Sequence, residues 1–210
     1  MESVNGGTLR ELVSKLHQDT GSRISEGYVA ELLHQALYAL RHLHYESRIH
    51  KDVKLENLML LAPAGPPHLV LIDLGVAETR QEDAMPPMPA GTPQTMAPEV
   101  LDCMLGRTAH FDDRCDVFSL GIVAHQLFTS ETPYQVAYTG GKAYGPVDYE
   151  ATRRNMEAAE LGKLKVSKGA LDFVKKMLEL DPEQRPTSLD PLNITSAFGI
   201  ILRCAWMLYV

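Results

Sequence analysis

A chain of 210 residues with 45% apolar and 22% charged residues carries enough material for one hydrophobic core, and its composition is not that of a disordered chain. Its formal charge of −7 disfavours nonspecific nucleic-acid binding and is compatible with basic peptide partners. Cys103, Cys115 and Cys204 have neither CxxC nor zinc-site spacing, which points to free thiols in a reducing, cytoplasmic compartment. From the N-terminus, Thr8 and Glu11 have capping-box spacing, so a short helix is predicted from Thr8 to about His17. A polar loop, DTGSR, follows. Val29, Leu33, Ala36, Leu37, Leu40 and Leu43 then recur at helical spacing, predicting a longer helix from Ser25, its N-cap, to His44.

Two short apolar runs, NLMLL and HLVLI, flank the linker APAGPP and read as a β-hairpin. Residues 76–98 lack periodicity and contain Pro86, Pro87, Pro89, Pro93 and Pro98, which predicts an irregular loop. CDVFSLGIVAHQLF is apolar almost all round, as a central buried helix is. Residues 131–149 read as a Gly-, Pro- and Tyr-rich loop, and helices are predicted at about 150–161 and 168–179. The apolar tail SAFGIILRCAWMLYV is too short to span a bilayer and is interrupted by Arg203, and no apolar leader is visible. The expected fold is mainly α with a small β-hairpin.

The stretch HKDVKLEN, residues 50–57, places charge directly before the first strand of that hairpin. A hairpin brings the start of its first strand beside the end of its second, so Asn57 and Asp73 are expected at the same end. An amide oxygen and a carboxylate suit Mg2+, which takes few protein ligands and leaves positions for phosphate and water. Asp52 lies on the approach loop, free to face a second reactant, and Lys54 between them could hold a phosphate. A base-like carboxylate, a cation and a metal pair are what phosphoryl transfer needs. Taken singly, Asp52, Lys54 or Asn57 reads better as a solvated loop residue before a strand.

Taken together, His50-Lys51-Asp52 with Lys54 and Asn57 resembles the H-R-D-x-K-x-x-N catalytic loop of protein kinases. Asp73-Leu74-Gly75 is similar to the D-F-G metal-binding motif, and Ala97-Pro98-Glu99 matches A-P-E. The resemblance covers residues 1 to about 187 and is to the C-terminal lobe, leaving 188–210 as a divergent, unassigned tail. It implies ATP and Mg2+ as cofactors and protein serines or threonines as substrates, with no nucleic-acid partner. Asp52 would accept or orient the substrate hydroxyl proton, Lys54 would neutralise the transferring phosphate, and Asn57 and Asp73 would hold Mg2+. Thr92, in GTPQT, would bond to the catalytic loop and shape the substrate platform. Glu56 matches an acid that receives a substrate arginine in several basophilic kinases, and reads equally as a solvated acid. Met59 would lie under the adenine ring, or serve as plain core. His50 belongs to the supporting set. Asp116 would accept backbone N–H groups of the catalytic loop, and Glu99 with Arg185 would form a buried ion pair. HKDVKLEN with its preceding capped helix points to the calcium/calmodulin-dependent-like group.

The departures from the family pattern carry expectations of their own. MESVNGGTL resembles the hinge, with Met1 at the gatekeeper position and Glu2 and Val4 at adenine-contact positions, so the ATP-clamping N-terminal lobe is expected to be missing and this chain alone inactive. A noncatalytic kinase-like scaffold or decoy is the rival reading. Lys51 replaces the usual Arg, Leu55 replaces Pro, and Thr95 replaces Tyr, which is expected to loosen the substrate platform. From Val76 to Ala90 the only hydroxyl is Thr79, so Glu82 and Asp83 are candidates for fixed negative charge in place of a phosphosite.

Overall fold

The structure, a computed structural model, describes residues 5–19, 24–63, 65–79, 88–141 and 145–189. Met1, Glu2, Val4, Glu82, Asp83 and the tail from 190 onward lie outside the described residues, as does most of the DTGSR loop.

Helix α1 runs Leu9–Asp19. Its start is the predicted capping box: the Glu11 N–H donates to Thr8 Oγ1 at 3.2 Å, and the Thr8 N–H donates to Glu11 Oε2 at 3.0 Å. Helix α2, Glu26–Tyr45, is capped by Ser25, whose side chain accepts the Tyr28 N–H at 3.3 Å. Its buried stripe is wider than predicted, taking in Ala30, Leu32 and His44, while Leu43 is only half-buried.

The chain then forms β1 (Arg48–Ile49), a 3-10 turn at Leu55–Asn57, β2 (Leu58–Leu60) and β3 (Leu69–Leu71). β2 and β3 pair antiparallel with Leu58 opposite Leu71, which is the predicted hairpin. Gln35 of α2 fastens it, donating to Pro67 O and accepting the Leu69 N–H, both at 2.7 Å. The described parts of the 76–98 stretch hold regular elements that its sequence does not suggest. β4, Glu78–Thr79, pairs antiparallel with β1, and a short helix, α3, spans Pro98–Met104. Pro98 at its first turn needs no intrahelical N–H partner, so the residue read as a breaker starts the helix.

Helix α4, Arg114–Thr129, is the central buried helix, with Val117, Phe118, Leu120, Ile122, Val123 and Ala124 at 0–1% exposure. It packs against α2 on one side and against α6, Lys168–Met177, on another. The α6 approach depends on Gly121: a Cβ there would lie 2.8 Å from Leu178 Cδ2. The predicted loop at 131–149 holds a bridge between Tyr138 and Val147 and a 3-10 turn at Thr139–Gly141. Helix α5 is Tyr149–Glu157, four residues shorter than its predicted end at 161, because the chain breaks there into a separate turn at Leu161–Lys163. Among the described residues no helix is long and apolar enough to cross a membrane. Among the described residues the mainly helical fold thus carries two small two-stranded sheets, β1–β4 and β2–β3, and the charged 50–57 loop joins β1 to β2.

Candidate active site

The loop at residues 50–57 is fixed from below by Asp116, a fully buried carboxylate in the first turn of α4. Its Oδ2 accepts the His50 N–H at 2.7 Å and its Oδ1 accepts the Lys51 N–H at 2.8 Å, the arrangement its sequence position predicted. His44, at the end of α2, adds a third bond: its Nε2 lies 2.9 Å from Asp116 Oδ2, and its Nδ1 lies 2.6 Å from Ser188 Oγ. Sequence reasoning missed His44, whose only local signal is a polar residue on the buried stripe of α2.

His50 is also fully buried. Its Nδ1 accepts the Asp52 N–H at 3.3 Å, and its Nε2 donates to Ile72 O at 3.2 Å, a tautomer assigned from these partners. One imidazole therefore ties the residue carrying the carboxylate of the loop to the residue just before Asp73.

Asp52 is 8% exposed and is the hub of the site. Its Oδ1 accepts the Thr92 hydroxyl at 2.6 Å, and its Oδ2 faces Lys54 Nζ at 2.7 Å and accepts Asn57 Nδ2 at 3.1 Å. Lys54 Nζ donates in turn to Thr92 Oγ1 at 2.9 Å, closing a triangle of carboxylate, ammonium and hydroxyl. Burial pushes the Asp52 carboxyl up, but the hydrogen bonds from Lys54, Thr92 and Asn57 and the Lys54 charge together hold it below its ordinary value. A carboxylate offers about four lone-pair sites, so three side-chain donors leave room for one further hydroxyl.

Thr92 reaches Asp52 because Gly91 precedes it. Gly91 has φ +122°, and a Cβ there would meet Lys51 O at 2.2 Å. Only glycine lets this segment approach the loop so closely. Thr95, expected to loosen the platform, does not: it is buried, its hydroxyl donates to Thr92 O at 3.3 Å, and its carbonyl accepts Ser119 Oγ at 2.7 Å. Tyr134 adds hydroxyl contacts to Gln94 O and Met96 O at 3.3 and 3.4 Å.

Lys51 keeps its predicted charge but has its own partners. Its Nζ donates to Glu78 Oε2 at 2.7 Å and to Met88 O at 3.2 Å, and the same Glu78 oxygen accepts the Met88 N–H at 3.1 Å. The Lys51 hydrogen bond is the main cause that holds the Glu78 carboxyl below its ordinary value. Among the described residues, Glu78 is therefore the fixed negative charge of the 76–90 segment.

Asn57 and Asp73 stand at the same end of the hairpin, where the Ile72 N–H donates to Asn57 O at 2.9 Å. Their settings differ. Asn57 is buried, and its Nδ2 is held by Asp52 O at 2.8 Å, which leaves its amide oxygen as the atom available to a cation. Asp73 is exposed, has φ 64°, and accepts the Gly75 N–H on Oδ1 at 3.1 Å. No hydrogen bond joins the two among the described residues, and no group of three His, Cys, Asp or Glu side chains there could hold a metal. One amide oxygen and one carboxylate nonetheless fit a hard cation that draws its other oxygens from phosphate and water. Met59, half-buried in β2, bridges to Thr8. Glu56 is not simply solvated: its Oε1 accepts Arg10 Nε at 2.8 Å.

The supporting ion pair is present as expected. Arg185 donates Nη1 to Glu99 Oε1 at 2.6 Å and Nη2 to Oε2 at 3.0 Å, donates Nε to Glu179 O at 2.9 Å, and stacks over Phe118 at 4.9 Å.

Comparison with known proteins gives concordant results. The family model for the protein kinase domain matches residues 1–196. The chain is 35% identical over 197 residues to Myosin-IIIa of Mus musculus, covering 92% of this chain and 11% of that protein. It is 34% identical over 191 residues to Calcium-dependent protein kinase 6 of Plasmodium berghei, covering 89% and 11%. It is 30% identical over 210 residues to the Meiosis-specific serine/threonine-protein kinase MEK1 of Saccharomyces cerevisiae, covering 90% and 40%. The chain spans only 11% of the length of the first of these relatives.

Proposed function

The chain belongs to the protein kinase family, of the eukaryotic serine/threonine type, and from that membership we propose that its 50–57 loop transfers the γ-phosphoryl group of ATP to serine or threonine hydroxyls of protein substrates. The observation that carries the reading is the triangle of Asp52, Lys54 and Thr92, with each edge under 3 Å.

In this reading Asp52 orients the incoming hydroxyl through its remaining lone pair. Held below its ordinary pKa, it stays ionised at neutral pH and is a weak base. A weak base suffices, because phosphoryl transfer has a loose transition state in which the hydroxyl proton leaves late. Lys54, already beside the carboxylate, neutralises charge that develops on the transferring oxygens. Thr92 holds Asp52 in one rotamer and links it to the substrate platform. When bound, the magnesium nucleotide supplies the phosphoryl group and a charge-neutralising cation. Asn57 and Asp73 are the residues that would hold the cation, and Met59 with Glu2 and Val4 would meet the adenine. The free thiols of Cys103 and Cys115 accord with a reducing, cytoplasmic setting.

The test is phosphate transfer from labelled ATP to a serine-bearing protein substrate, comparing the natural protein with its Asp52→Asn variant. The expected outcome is a loss of about 100- to 10,000-fold with nucleotide affinity retained. Transfer that survives the substitution contradicts the assignment.

A further inference from the structure

The contact between Arg10 and Glu56 bears on which substrates the site accepts. Glu56 sits in the 3-10 turn between Lys54 and Asn57, so it is two residues along the chain from the ammonium that touches Asp52. At about 3.3–3.6 Å per residue the Lys54 and Glu56 backbones are at most about 7 Å apart, which puts Glu56 within reach of the residues flanking a hydroxyl docked at Asp52. An unpartnered carboxylate there would favour a peptide guanidinium.

It is not unpartnered. Arg10 Nε donates to Glu56 Oε1 at 2.8 Å, with the two side chains 42% and 44% exposed. Arg10 is held at that point by the fold. Leu9 beside it is buried, the Thr8–Glu11 capping box fixes the start of α1, and Thr8 bridges to Met59 in β2. The Leu60 N–H donates to Gly7 O at 2.9 Å and the Gly6 N–H donates to Leu60 O at 3.0 Å, so the segment leading into α1 is stitched to the strand that follows Glu56. The bond uses Nε alone, a single-pronged contact that is weaker than a bidentate arginine–carboxylate pair.

We propose that Arg10 is a specificity-determining residue: it occupies Glu56 and removes the preference this site would otherwise have for arginine beside the acceptor serine or threonine, so that substrates with neutral flanks are accepted as readily as basic ones. This rests on the proposed function, because it assumes that the acceptor docks at Asp52. An incoming guanidinium must displace Arg10 or share Glu56 with it at the cost of like-charge repulsion. A half-exposed ion pair is worth little, so the masking effect is about fivefold in affinity.

The probe is a pair of fluorescent serine peptides, one set carrying a single arginine at each position flanking the serine, the other carrying citrulline, its neutral isostere, at the same positions. Binding to the purified chain is measured by anisotropy at low salt, and phosphate transfer is measured separately, so that failure of the enzymatic reading leaves the binding result interpretable. The natural chain is expected to bind the two sets within about twofold of each other. Arg10→Gln, which keeps helix propensity, is expected to tighten the best arginine peptide about fivefold and leave its citrulline partner unchanged. Arg10→Met is expected to do the same, and Glu56→Gln in either background is expected to remove the gain. An arginine-to-citrulline ratio that neither Arg10 variant changes, absent binding included, overturns the proposal, as does a gain that survives Glu56→Gln.

Discussion

The two flanks of the site are built differently. On the acceptor flank, Asp52, Asn57 and His50 are buried; Asp52 is bonded to Thr92 and His50 to Ile72, 40 and 22 positions away, and Asn57 is tied to Asp52 within the loop. On the flank proposed to hold the cation, Asp73, Leu74 and Gly75 are exposed, and among the described residues the Asp73 side chain bonds only to the amide of Gly75 two residues on. The acceptor flank is therefore organised by the fold itself, through Asp116, while under the proposed function the Asp73 flank would take its final form from the cation and nucleotide bound there. This is a sensible division for phosphoryl transfer. A hydroxyl needs to be aimed, and rigid neighbours aim it; a cation brings enough field to organise its own carboxylate.

The strongest way to break the contrast is to remove its anchor. Asp116→Ala leaves the His50 and Lys51 N–H groups and His44 without their acceptor inside the core. The expected loss is about 3–5 kcal/mol in denaturant unfolding, and a loss below about 1 kcal/mol would mean that water or another group replaces the carboxylate. Gly91→Ala attacks the same flank from above. Its Cβ would lie 2.2 Å from Lys51 O. The backbone must retreat, at a cost of about 1–3 kcal/mol, and Thr92 should leave Asp52, which a crystal structure of the variant would show.

Lys54→Met sharpens the electrostatic side. With Lys54 in place the folded Asp52 carboxyl lies below its ordinary value, so its contribution to stability is present above the ordinary carboxylate pKa and is lost as pH falls through the depressed folded pKa. Without Lys54, burial is opposed only by Thr92 and Asn57, and the carboxyl should move upward. Acid unfolding of the variant is expected to begin at higher pH than that of the natural chain; an unchanged acid limb contradicts the account. Asp73→Asn should do least to the fold, under about 0.5 kcal/mol, because an exposed side chain loses one local bond. Its effect should appear instead as weaker magnesium-dependent nucleotide binding, measured by calorimetry.

The same contrast explains what the sequence disclosed. Helices α1, α2 and α4 were legible because caps and apolar periodicity are local signals, and the β2–β3 hairpin because its linker is dense in Pro and Gly. The candidate site residues were legible as a set, since Asp52, Lys54, Asn57 and Asp73 stand in family spacing. What stayed hidden is long-range. The β1–β4 ladder is two residues deep and has no periodicity to read. The Lys51–Glu78 bond crosses 27 residues and Arg10–Glu56 crosses 46. Thr95 looked like a loosening substitution because it stands where the family pattern has Tyr. Its rigidity comes from Ser119, on a helix 24 positions away.

Amide hydrogen exchange with and without magnesium nucleotide tests the division between the flanks most directly. The N–H groups of His50, Lys51 and Asn57, bonded to Asp116 and to Lys54 O, are expected to be protected before any ligand is added and unchanged by it. Those of Gly75 and Ala77, on the exposed flank, are expected to exchange quickly alone and slow when the ligand binds. Fast exchange at His50 and Lys51 in the free chain, slowed only by ligand, would show that the acceptor flank is not preorganised and would contradict the account.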